Sequence, residues 1–76
     1  LYPDFTIRHP ETGIIFYWEH FGLADDSEYC RSMNSKLALY TAHGIIPTIN
    51  LITTYETKDV PLSLEMVEKI VEYYFL

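Results

Sequence analysis

Two acids inside apolar, strand-forming segments are the first candidates for chemistry in this chain. Asp4 lies in Tyr2-Pro3-Asp4-Phe5-Thr6-Ile7, and Glu19 lies in Ile14-Ile15-Phe16-Tyr17-Trp18-Glu19-His20-Phe21-Gly22. Carboxylates are hard oxygen ligands, so two of them brought together make a site for a divalent cation such as Mg²⁺ or Mn²⁺. Lys36 is the third candidate. It falls three residues after Met33 and four before Tyr40, at the flank of an apolar helical stripe. A lysine there either snorkels to water or turns its ammonium toward the acids.

The segment between the acids, His9-Pro10-Glu11-Thr12-Gly13, is rich in turn formers, so the two runs read as a hairpin. Folding about Glu11 and Thr12 pairs residues whose numbers sum to 23 and sets Asp4 opposite Glu19. Facing residues of an antiparallel pair have Cβ atoms about 4.5–5.5 Å apart, where like charges repel and a cation offsets the cost. The apolar pattern points to the same register. It sets Phe5 against Trp18 and Ile7 against Phe16, whereas a slip of one residue would scatter both faces. Sums of 21 or 25 keep the acids on one face as diagonal neighbours. The competing account is that acids on an edge strand serve only to block aggregation.

The rest of the chain must position these groups. Asp25 is placed to cap a helix, with Glu28 reaching back as in a capping box. Cys30, Met33, Leu37 and Tyr40 recur at helical spacing, and His43-Gly44 ends the helix. Residues 49–55 read as a strand, reached by a crossover that implies a parallel neighbour. A second helix begins at Ser63, with Leu62 and Val67 at the staple positions and Val67, Ile70, Val71 and Tyr74 forming its apolar face. The order is β-β-α-β-α, an α/β fold with a mixed sheet and packed helices. Three strands make a thin sheet, so an edge is expected to be completed by further sequence or by another chain, most simply in a homodimer.

Composition limits the classes of function. Hydrophobic residues make up 49% of the chain and aromatics 16%, which argues for one folded domain spanning residues 1–76 rather than a disordered segment. The net charge of −6 argues against a free-standing nucleic-acid binder, which needs a basic face. An acidic chain that handles phosphates needs a metal or basic residues from elsewhere. The single Cys30 excludes an intrachain disulfide and fits a cytoplasmic setting. No apolar run approaches the roughly 20 residues that span a bilayer, so no membrane association is expected. The chain opens at Leu1 without a methionine and enters a strand almost at once, as a fragment of a longer protein would.

The other polar residues have plainer readings. His20 points away from Glu19 and reads as a packed histidine. Glu56 is either a third ligand or a solvated strand end. His9 and His43 read as turn and helix-end residues. Glu65 and Lys69 form an i, i+4 pair on the wet side of the last helix. Cys30 belongs to the apolar stripe. The chain has no glycine-rich phosphate loop, CxxC motif or GxSxG elbow.

Pro3-Asp4, a short spacer and Glu19 on the next strand resemble the PD-(D/E)XK, or restriction-endonuclease-like, nuclease superfamily. More closely, Pro3-Asp4-Phe5, Trp18 to Gly22, Lys36 to Tyr40 and Leu51-Ile52-Thr53 resemble a nuclease-type domain found in bacterial helicase-associated and uncharacterised proteins. The resemblance implies a Mg²⁺-dependent phosphodiesterase acting on nucleic acid, most simply DNA, with contacts largely outside this fragment. It implies Asp4 and Glu19 as metal ligands and, with Lys36, as the catalytic residues. The family's lysine stands two residues after the second acid, where this chain has Phe21. Some members bring it from the following helix, a role that Lys36 fits. The family core also begins with a helix and a strand, so the fold expected here is a truncated core lacking both.

Overall fold

A computed structural model describes residues 2–76; Leu1, where the chain is expected to enter from a longer protein, lies outside the described residues. The order is β1 (Phe5–Arg8), β2 (Ile15–Phe21), α1 (Ser27–Ala42), β3 (Leu51–Tyr55) and α2 (Leu64–Phe75). This is a small mixed α/β arrangement, with the sheet ordered β1-β2-β3 and β2 at its centre. β1 runs antiparallel to β2, and β3 runs parallel to it.

The hairpin register is the one set by the apolar alternation, with Phe5 opposite Trp18 and Ile7 opposite Phe16. The turn between them is closed by His9 N–H donating to Ile14 O at 2.8 Å and Gly13 N–H donating to His9 O at 3.0 Å. Gly13 takes a φ of +75°, which costs a residue without Cβ little. His9 belongs to this turn, its Nδ1 accepting from the N–H groups of Glu11 and Thr12.

Alternation along β2 then divides the helices between the two faces of the sheet. On one face, Glu19 reaches Lys36 and Tyr40 of α1, and Phe21 meets Tyr29 of α1 edge-on at 6.5 Å. On the other, Phe16 packs edge-on against Tyr74 at 5.6 Å and Phe75 at 5.3 Å, both from α2. The buried apolar core is Trp18, Phe21, Tyr40, Leu51 and Ile52, centred on β2 and β3. The least exposed side of α1 carries Cys30, Met33, Leu37 and Tyr40, as the spacing implies.

Two boundaries differ from expectation. Asp26, not Asp25, caps α1, accepting from Tyr29 N–H at 2.8 Å. Asp25 accepts from Lys58 N–H at 3.1 Å instead, and Glu28 is left in the first turn outside any capping box. The last strand begins at Leu51 rather than at residue 49. Asn50 is the physical reason: its Oδ1 accepts from Ile46 N–H at 2.6 Å and its Nδ2 donates to Gly44 O at 3.1 Å. That side chain holds residues 46–50 in a turn, where Thr48 takes a φ of +68°. Ser63 caps α2 as expected, accepting from Met66 N–H at 3.2 Å.

Candidate functional site

Glu19 sits in the middle of the sheet and is only 3% exposed. An ionised carboxylate at such a depth is costly unless paired and hydrogen-bonded. Both of its oxygens are engaged by α1. Lys36 Nζ lies 2.6 Å from Oε1, and Tyr40 O–H donates to Oε2 at 2.6 Å. Lys36 and Tyr40 are four residues apart, so they project from one helix face onto the same carboxylate. Burial, together with donation to the Glu19 carboxylate, pushes the Tyr40 hydroxyl well above the ordinary tyrosine range. Tyr40 therefore serves Glu19 as a neutral donor.

Asp4 precedes β1, at a bend, and its side chain is exposed. Continuing the hairpin register by one residue sets it opposite Glu19. Its Oδ2 accepts from the backbone N–H of His20 at 2.8 Å, and its charge is among those that raise the Tyr40 hydroxyl. β1 has ended by this point, so the Asp4 carboxylate satisfies an N–H that no β1 carbonyl reaches. Thus Glu19, Lys36 and Tyr40 are in direct contact, and Asp4 joins them through the peptide that follows Glu19. A cleft of about 110 Å³ opens beside the pair, lined by Glu19, Phe21, Tyr29, Ser32, Met33 and Lys36.

Phe21 stands two residues after Glu19, where the resemblance led one to expect a lysine. It is 3% exposed and stacks on Tyr55 with ring centres 5.5 Å apart. That position is core, and the ammonium near Glu19 comes from Lys36.

His20 and Glu56 form a second cluster on the opposite face. His20 Nδ1 lies 2.8 Å from Thr54 Oγ1, and its Nε2 lies 2.9 Å from Glu56 Oε1. Trp18 Nε1–H donates to Thr54 Oγ1 at 3.1 Å, and Leu62 N–H donates to Glu56 Oε2 at 3.1 Å. An indole nitrogen only donates and an ionised carboxylate only accepts. In the neutral ring these bonds therefore run one way, from Trp18 to Thr54 to His20 to Glu56. The His20 hydrogen bond, with the Leu62 N–H, holds the Glu56 carboxyl below the usual glutamate value. Glu56 is thus a partly solvated residue at the end of β3, and the partners of its carboxylate are His20 and Leu62 rather than Asp4 or Glu19. Among the described residues no group of three His, Cys, Asp or Glu side chains is placed to hold a metal ion.

The remaining candidates are local. His43 caps α1, with Nδ1 2.9 Å from Leu39 O. Cys30 is a free thiol donating to Ala24 O at 3.0 Å. Lys69 and Glu65 pair at 3.5 Å, largely in solvent. Sequence reasoning missed Tyr40 and Thr54 as polar partners. Tyr40 was hidden by its place on the apolar stripe, and Thr54, 34 residues from His20 in the chain, carries no local signal of this role. No helix among the described residues is long and apolar enough to cross a membrane. No family model, curated protein or solved structure matches the chain at a significant level.

Proposed function

We propose that this chain is the catalytic part of a metal-dependent nuclease of the PD-(D/E)XK type, hydrolysing phosphodiester bonds in DNA. The observation that carries the reading is a buried glutamate on the central strand with a helix-borne lysine 2.6 Å from it. The resemblance of Pro3-Asp4 and Trp18-Glu19 to that superfamily supports it, and the β-β-α-β-α order fits a core lacking its first helix and strand.

The donor chemistry fits Mg²⁺ or Mn²⁺. Asp4 and Glu19 supply carboxylate oxygens, each with two lone pairs, and each Glu19 oxygen has one hydrogen-bond donor in the structure. Such an ion supplies Lewis-acid polarisation of a phosphate oxygen and a lowered pKa for an attacking water. The chain's own groups do the rest. Asp4 and Glu19 would hold the ion, and Tyr40 fixes the Glu19 carboxylate by donating to Oε2. Lys36 places a positive charge at the same edge, where it would orient the water and stabilise charge developing on the phosphate.

The test is a Mg²⁺-dependent DNA cleavage assay on the full chain and its Lys36→Gln and Lys69→Gln variants. Lys36→Gln keeps a donor for Glu19 Oε1 but removes the charge. It should slow cleavage by about 100- to 1000-fold, as loss of one well-placed electrostatic donor does, while Lys69→Gln stays at the wild-type rate. Equal rates would remove Lys36 from the site.

A second reading rests on Phe21 at the lysine position and on a Glu19 whose two oxygens are both engaged. It is a domain of the same fold that no longer cuts and serves in binding or assembly. Absence of cleavage by the wild-type chain with Mg²⁺ or Mn²⁺ would select it.

A further inference from the structure

The His20 cluster lies outside the site just described, yet one covalent unit joins the two. The backbone N–H of His20 holds Asp4 Oδ2 at 2.8 Å, and the residue before it is Glu19. On the opposite face the His20 ring is pinned at both nitrogens, by Thr54 at 2.8 Å and Glu56 at 2.9 Å. Each anchor is itself held. Thr54 is 2% exposed and accepts from Trp18 Nε1–H at 3.1 Å. Glu56 is held by Leu62 N–H through its carboxylate and by Phe21 O through its backbone N–H at 2.9 Å. A residue anchored in this way cannot pivot about its strand, so its N–H keeps one direction.

We propose that His20 is a positioning residue: the Trp18–Thr54–His20–Glu56 chain fixes the Glu19–His20 peptide and thereby sets where Asp4 stands relative to Glu19. The proposal rests on the metal-site reading for its consequence, but its structural content concerns this chain's own hydrogen bonds. The β1–β2 ladder ends at the Phe5–Trp18 pair, so no strand pairing holds Asp4 at this point. Its known anchor is the His20 N–H. Loosening of the ring on the far face therefore reaches Asp4 directly and leaves Glu19, held by Lys36 and Tyr40, where it is.

Two measurements on the full chain test this. The first needs no metal. Hydrogen exchange of the His20 amide is followed by NMR relative to that of Tyr17, whose N–H donates to Asn50 O in the β3 direction. Thr54→Val and Glu56→Ala should each raise the His20-to-Tyr17 exchange ratio by about tenfold, and Thr54→Ser, which keeps the hydroxyl, should restore it. Taking the ratio removes any general loss of stability. Glu56 is 35% exposed, so its variant carries the test if Thr54→Val does not fold. The second measurement is Mn²⁺ affinity, which should fall about 10- to 100-fold in the same two variants, as it does when groups supporting metal ligands are removed, and recover in Thr54→Ser. An unchanged exchange ratio in both variants overturns the proposal. A wild-type chain that takes up no Mn²⁺ overturns the metal reading, while the metal-free exchange ratio still upholds or overturns the positioning of Asp4.

Discussion

Glu19 on β2 and Glu56 just past the end of β3 show how differently two glutamates can be held. Glu19 is enclosed, and its charge is matched by an ammonium and a phenol from one helix. Removing one partner of such a pair leaves a buried charge uncompensated, which is why a charge-removing variant of Lys36 must keep a donor. Glu56 is partly open to solvent and is held by the His20 ring and the Leu62 N–H. Its folded pKa lies below the ordinary glutamate value of 4.5. The unfolded chain therefore binds this proton more readily, and stability from Glu56 is fully present above that value and is lost as pH falls through the depressed folded one. Thermal melts across the acid range should show a shallower loss of stability in Glu56→Gln than in wild type. Parallel acid limbs would show that the His20 contact does not persist in solution.

At the scale of elements, α1 decides the site, because it supplies both groups that meet Glu19. Its start is set by Asp26, with φ −91° and ψ 126° and a carboxylate accepting from Tyr29 N–H. Asp25, the neighbouring acid, lies outside the cap and ties the helix start to Lys58. Loss of a capping carboxylate costs about 1 kcal/mol. Asp26→Ala should therefore lower the unfolding free energy by about that much, whereas Asp25→Ala, an exposed contact, should stay within about 0.5 kcal/mol. Urea melts of the two variants separate them, and equal effects would refute the cap assignment. α2 is positioned differently. No residue in it is fully buried; it meets the sheet through Tyr74 and Phe75 at its end, while Val67 lines an apolar hollow together with Leu62 and Trp18.

At the scale of the whole molecule, the core is small for the apolar content. Phe5 is 60% exposed, Ile49 65%, Val60 64% and Leu64 74%, and the shortest dimension is 16 Å. Both β1 and β3 are edge strands. Exposed apolar surface beside open strand edges favours association, and the simplest closed form is a two-fold dimer. We expect this chain to self-associate, with light scattering giving a mass that rises toward the dimer as concentration increases. A constant monomer mass across that range would count against it.

The hairpin register was legible because alternation leaves little choice. Phe5, Ile7, Phe16 and Trp18 share a face in the sum-23 pairing, and a one-residue slip would put Phe5 and Ile7 on the face opposite to Phe16 and Trp18. The Ser63 cap and the stripe of α1 were legible for the same kind of local reason. Local chemistry was not enough where two residues competed for one role. Asp25 and Asp26 both suit a cap, and only the fit of the chain to Lys58 separates them. Residues 49 and 50 suit a strand until the Asn50 side chain satisfies the Ile46 and Gly44 backbone instead.

Which face of the sheet each helix covers was decided by tertiary structure alone. The sequence left both sides open to the first helix, that of the acids and that of the hairpin's large apolar groups; α1 lies on the side of Glu19 and α2 takes the other. Glu19 and Lys36 are 17 residues apart, and His20 and Glu56 are 36 apart. Periodicity reports which side of a strand or helix a residue occupies. It does not report which side of another element it will face, because that depends on how a buried charge and the apolar surfaces are satisfied together.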